Sequence, residues 1–73
     1  MKEKQNQGSE LRSLVKEQIL AIRDSGETNM LDAYTVQRIA DREGFYELVS
    51  FIDERRDDYA SFILSGDEAL LPE

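Results

Sequence analysis

Apolar residues recur at three- and four-residue steps in three segments of this chain, and each segment runs into a glycine, at Gly26, Gly44 or Gly66. That period lines one face of a helix with apolar side chains, and a glycine just past the last periodic residue is a common left-handed stop. No stretch alternates with the two-residue period of a strand, and no internal repeat is visible. The pattern predicts an all-α chain, a compact bundle of three or four short helices. With 73 residues it holds one domain, and a chain of that size buries only about 60% of its unfolded surface. Disulfides, metals or self-association commonly supplement so small a core. The chain has no Cys and no His, so disulfides, thiolate metal sites and imidazole ligands are excluded. Close helix packing or self-association remains, and a homodimer is the favoured reading.

Met1–Gly8 is polar and without periodicity, and residues 1–8 are expected to form a disordered tail. The helical domain is expected to span 9–66. Ser9 is a plausible N-cap, and Leu11, Leu14, Val15, Ile19 and Ile22 then make one apolar face of a helix ending near Ser25. Asn29 is a plausible cap for a second helix, with Asp32 in a capping-box-like position. Met30, Leu31, Val36, Ile39 and Ala40 form its buried side, and it should stop before Gly44. Residues 67–73, with Pro72, read as a C-terminal tail.

The third segment, Phe45 to Ser65, has the widest apolar face. On one helical wheel Phe45, Leu48, Val49, Ile52, Tyr59 and Ile63 share a side, and Phe51 and Phe62 extend it to an arc near 160°, where about 100° suffices to face a core. Phe51 and Phe62 therefore have two readings, as core residues or as a self-complementary dimer surface. Arg56 falls within the apolar side of a continuous helix. Either it meets a carboxylate there, or the helix breaks between Glu54 and Asp57, with Asp57 or Asp58 capping a fourth helix. The break is the favoured reading.

Charge is divided unevenly. Residues 1–39 carry acids and bases in equal number, so the net charge of −7 belongs to residues 40–73. Glu47, Asp53, Glu54, Asp57 and Asp58 fall on the polar side of the third segment, with Tyr46 beside them either as an exposed aromatic contact or packed against the second helix across the Gly44 turn. Such a face keeps a small protein soluble, and it also suits docking on a basic groove as a mimic of phosphate. Tyr34 and Asn29 are weaker contact candidates. Ala40–Gly44 has helix-turn-helix spacing, but a recognition helix after Gly44 would turn Glu47, Asp53 and Glu54 toward phosphates, which disfavours nucleic acid as the partner.

No catalytic constellation is present. A Ser-based triad lacks its His, the glycines form no phosphate loop, and Asp24–Thr35 has the wrong residues for a calcium loop. The carboxylate pairs Asp53/Asp57 and Glu54/Asp58 read as a solvated face. No enzymatic activity, cofactor or metal is expected. No apolar run approaches the roughly 20 residues of a membrane span, and the N-terminus lacks the apolar stretch of a signal peptide, so a cytoplasmic protein is expected.

From Lys16 to Gly66 the chain resembles a small uncharacterised domain family encoded by phages and prophages of Gram-positive bacteria. The residues that carry the resemblance are Glu17-Gln-Ile-Leu-Ala-Ile-Arg-Asp-Ser-Gly26, Thr28-Asn-Met-Leu-Asp32, Gly44-Phe-Tyr-Glu-Leu-Val49 and Tyr59-Ala-Ser-Phe-Ile-Leu-Ser-Gly66. The resemblance implies a mobile-element origin, and small acidic phage proteins often bind and inhibit a host protein. The leading expectation is therefore an accessory protein in the host cell that occupies a basic, nucleic-acid-binding surface of a host protein. The alternatives are a dimeric DNA-binding regulator using Lys2, Lys4, Arg12, Lys16 and Arg23, and a phage structural or assembly component.

Overall fold

The computed structural model describes the backbone from Lys2 to Glu73 and the side chains from Glu10 onward. Four helices follow in order: α1 (Lys2–Ser25), α2 (Ala33–Glu43), α3 (Tyr46–Glu54) and α4 (Arg56–Ser65), then a 3-10 turn at Glu68–Leu70. No strand occurs among the described residues. The chain is an all-α bundle.

Helix α1 begins at Lys2 rather than at Ser9, so its backbone runs through most of the expected tail; Met1 lies outside the described residues. Lys, Glu and Gln are straight-chain residues with good helix propensity, and they prolong a helix that buried turns have already nucleated. Those turns hold Val15, Ile19 and Ile22 in the core, while Leu14, at the margin of the stripe, is 39% exposed. Gly26 closes the helix at φ 70°, a conformation that costs a side-chain-bearing residue about 1–2 kcal/mol.

The cap of α2 is Asp32, not Asn29. The Asp32 carboxylate accepts from the Thr35 backbone N–H at 3.2 Å and from the Thr35 hydroxyl at 2.8 Å. Asn29 makes a tight local turn instead, its Oδ1 accepting from Leu31 N–H at 2.8 Å. Asx turns of this kind compete with helix, so Met30 and Leu31 stay in the loop. Val36, Ile39 and Ala40 enter the core, and Gly44 at φ 79° donates its N–H to Ala40 and Asp41 carbonyls.

Phe45–Ser65 is two helices. The backbone leaves the helix at Arg55 (φ −139°, ψ 54°), and each half turns its own narrow face inward: Leu48, Phe51 and Ile52 from α3, Tyr59 and Phe62 from α4. The wide arc on a single wheel was the sum of two ordinary stripes. The break also frees Arg56 from the apolar side, and its residue is exposed. Neither Asp57 nor Asp58 caps α4. Arg55 occupies the cap position without a side-chain hydrogen bond of that kind, and both acids sit in the first turn.

Residues 67–73, expected as a tail, dock on the bundle. Leu71 is 1% exposed and belongs to the core. Asp67 caps the 3-10 turn by accepting from Ala69 N–H at 3.0 Å, and the Arg55 guanidinium donates to the Leu70 carbonyl at 3.1 Å. Lys16 pairs with Glu68, and Arg12 with Glu73. Two apolar side chains in a row gain enough by burial to order a short segment whose polar ends are already held.

Tyr59 ties the loop before α2 to α4. The residue is fully buried, its ring meets Phe51 edge-on at 6.4 Å, and its hydroxyl donates to the Met30 carbonyl at 2.6 Å. Tyr59→Phe should therefore lower unfolding free energy by about 1–2 kcal/mol, read from urea denaturation, because the ring stays and only the hydrogen bond goes. Burial raises the phenol above its usual value of 10.0, so the folded state holds the proton more tightly than the unfolded state. That contribution is complete below pH 10.0 and is lost as pH rises above it, and Tyr59→Phe should flatten this alkaline loss.

Candidate functional site

The residues singled out by charge gather around the α3–α4 corner. Asp53 and Glu54 end α3, and Asp57 and Asp58 open α4. Asp53, Glu54 and Asp57 are exposed, and Asp58 is half-buried. Asp58 is committed to the fold, since its Oδ2 accepts from Arg55 Nε at 2.8 Å. Arg55 further lies over the Phe51 ring, with 5.5 Å from its guanidinium carbon to the ring centroid. One cation thus pins the break from three sides and has its charge matched by Asp58. Among the described side chains, no Lys or Arg lies within ion-pair distance of Asp53, Glu54 or Asp57.

These acids do not share one structural explanation. Carboxylates in a first helical turn face the positive end of the helix dipole, which favours Asp57 and Asp58. Asp53 and Glu54 sit in a last turn, at the negative end, and α3 has no basic residue there. By the dipole of α3 alone theirs is the unfavourable placement, at an end that Arg55 and the start of α4 directly follow.

Glu47 stands slightly apart. It is exposed, but its Oε1 accepts from Gln18 Nε2 at 3.0 Å. Gln18 is the buried polar residue of α1, and its Oε1 accepts from the Leu48 N–H at 3.0 Å. Phe45, the N-cap residue of α3, has no side chain able to cap it. Gln18 reaches across from α1 and supplies the side-chain acceptor that Phe45 lacks, sharing the Leu48 N–H with the Phe45 carbonyl at 3.1 Å. The sequence marked Glu47 and passed over Gln18, because a glutamine inside an amphipathic stretch carries no periodic signal of its own. The Gln18 hydrogen bond, with one from the backbone, holds the Glu47 carboxyl below its ordinary value of 4.5.

Tyr46, in the first position of α3, is 62% exposed and does not bury itself across the Gly44 turn. Tyr34 is also exposed and carries Arg38 over its ring at 5.8 Å. Phe51 and Phe62 are 3% and 8% exposed inside the chain's own core, which leaves little ring surface for a second copy. The bases considered for DNA contact are matched locally: Arg12 pairs with Glu73, Lys16 with Glu68 and Arg23 with Asp24, while the side chains of Lys2 and Lys4 lie outside the described residues. Gly44 and Phe45 alone join α2 to α3, and the second helix of that pair bears Glu47, Asp53 and Glu54.

No group of three His, Cys, Asp or Glu side chains among the described residues is placed to hold a metal ion. No helix among them is long and apolar enough to cross a membrane.

Two measurements test this account. Gln18→Ala should destabilise the bundle by about 1–2 kcal/mol through its lost links to the Leu48 N–H and Glu47, although the Leu48 N–H keeps the Phe45 carbonyl. It should also weaken the loss of stability in acid, because a lowered Glu47 carboxyl contributes above pH 4.5 and ceases to contribute as pH falls through its folded value. Asp53→Asn and Glu54→Gln should each raise the midpoint of thermal unfolding at low salt, whereas Asp57→Asn should lower it.

Residues 11–67 match the family described as Domain of unknown function (DUF5049), and the chain belongs to that family. The match takes in α1 from Leu11 onward and all of α2, α3 and α4, and leaves out residues 2–10 of α1 and the 3-10 turn with the residues after it. No curated protein and no solved structure matches the chain.

Proposed function

We propose that this member of the DUF5049 family is a small phage-type accessory protein that binds a host protein and inhibits it by covering a basic, nucleic-acid-binding surface. One observation carries the reading. Asp53 and Glu54 project from the α3–α4 corner with no described cation paired to them, at a helix end where their charge opposes stability. A carboxylate pair that only kept the protein soluble would serve equally well at a helix start. Asp57 extends the same exposed surface, Glu47 adds its ionised carboxylate along α3, and Tyr46 offers an aromatic contact near the other end of that helix. Carboxylates spread along a rigid helical corner can stand where phosphates would, and their field would steer the encounter.

DNA binding by the N-terminal half gains less support, because Arg12, Lys16 and Arg23 each have a carboxylate beside them. A homodimer would need a face other than Phe51 and Phe62.

The test is capture of partners from a Gram-positive bacterial lysate on immobilised protein. Captured protein should be released by heparin or duplex DNA, and by raising salt from about 0.1 M to about 1 M, over which the screening length falls from about 10 Å to about 3 Å. A triple variant, Asp53→Asn with Glu54→Gln and Asp57→Asn, should lose the capture while keeping its helical signal. Asp58 is left intact because it holds Arg55. Capture that survives both the competitor and the neutralised corner would end the proposal.

A further inference from the structure

Beside the acidic corner lies a cleft of about 280 Å³ between α1, α3 and the C-terminal segment. Leu11, Phe51 and Pro72 give it apolar walls, and Glu47, Ser50 and Glu54 rise along its α3 side. Small-molecule sites commonly run from about 300 Å³ upward, so this volume suits a single long side chain better than a cofactor. The lining has the two-part character that such a side chain needs, an apolar stretch for its stem and anionic groups for its head.

We propose that the cleft receives one arginine side chain of the partner protein, a proposal that rests on the acidic-corner reading above and names the residue class that anchors it. The stem lies against Leu11 and Pro72, the partly exposed apolar residues of the lining, with the nearly buried Phe51 edge as its floor. The guanidinium meets the Glu54 carboxylate in a two-point hydrogen bond, and Glu47 adds its charge from two helical turns away, about 10 Å along the axis. Glu47 keeps one oxygen for Gln18 and stays ionised. Ser50 lies between the two acids and is small enough to leave the entrance open. Arg55 closes one end but does not cancel the site's charge, since Asp58 already matches it. Arginine is chosen over lysine for two reasons. Its planar head pairs with a carboxylate at two points, where the lysine ammonium is a single point charge. Arginine is also among the residues that most often anchor interfaces.

The probe is a capped Gly-Arg-Gly peptide titrated into the full chain and followed by amide chemical shifts. Saturable shifts confined to Leu11, Ser50, Phe51 and Glu54 are expected, with a Kd on the order of 1 mM. Glu54→Gln should weaken binding about tenfold, and Glu47→Gln less. Ser50→Leu fills the cleft without altering charge, at an exposed helical position where leucine favours the helix, and it should abolish the shifts. Absence of saturable shifts, or shifts that persist in Ser50→Leu, overturns the proposal. Equal binding of capped Gly-Lys-Gly overturns the assignment to arginine. Lysate capture separates this proposal from the one beneath it. If only the cleft is wrong, Ser50→Leu captures partner as the unmodified chain does, with the same salt response. If the acidic-corner reading is wrong, the charge-neutralised triple variant captures as well as the unmodified chain whatever the peptide shows.

Discussion

At Arg55 the backbone steps out of the helix for one residue, and the side chain of that residue replaces what the continuing helix would have supplied. Its own N–H still reaches the Phe51 carbonyl at 2.8 Å, so α3 ends without an orphaned donor there. Its guanidinium spans Asp58 in the next helix, the Leu70 carbonyl beyond it and the Phe51 ring behind it. A continuous helix would have pointed one stripe at α1 and left the other half of the apolar arc in water. Breaking it lets Phe51 and Tyr59, from either side of the corner, meet edge-to-face. The docked C-terminal segment depends on the same residue, since Leu71 is buried next to a carbonyl that Arg55 holds. Folding the core and exposing the acidic corner are consequences of a single break.

A core drawn from so few residues has little apolar area to spare, and the bundle adds specific polar links between elements that are distant in sequence. Gln18 caps α3 from α1, Gln37 donates to the Val49 carbonyl at 3.0 Å, and Tyr59 donates to the Met30 carbonyl. Each net bond contributes on the order of 1 kcal/mol, but each also fixes a register that apolar packing alone would leave loose. Surface ion pairs such as Arg42 with Glu27 contribute less, because water screens them.

The helices and their stops were legible because they rest on local rules. Apolar spacing located Val15, Ile19, Ile22, Val36, Ile39 and Ala40, and the glycines at 26, 44 and 66 all adopt positive φ. Arg56 announced the break because a charge on an apolar stripe conflicts with a continuous helix. What sequence reading missed was set by contacts between distant segments. Nothing near Gln18 says that α3 lacks a cap, and nothing in residues 67–73 says that Leu71 has a place in the core. The choice of Asp32 over Asn29 was local but finely balanced, decided by Thr35 offering two donors to one carboxylate. The acidic residues were visible as charge, while their opposite relation to two helix dipoles required knowing where one helix ends and the next begins.

That relation bears on how the acidic corner is to be understood. Asp57 and Asp58 would be retained by any bundle with this break, because they stabilise the start of α4 and one of them holds Arg55. Asp53 and Glu54 receive no such return from the fold. On the proposed reading a cation of the partner would offset their repulsion with the end of α3, and that relief would be realised as binding free energy. The same substitution would then strengthen the free protein and weaken its complex. A purely solubilising surface has no reason to show that opposition, because solvation by water does not depend on which helix end carries the charge. The sign of the two effects, measured on the same residue, is what separates a surface that merely tolerates water from one arranged for a partner.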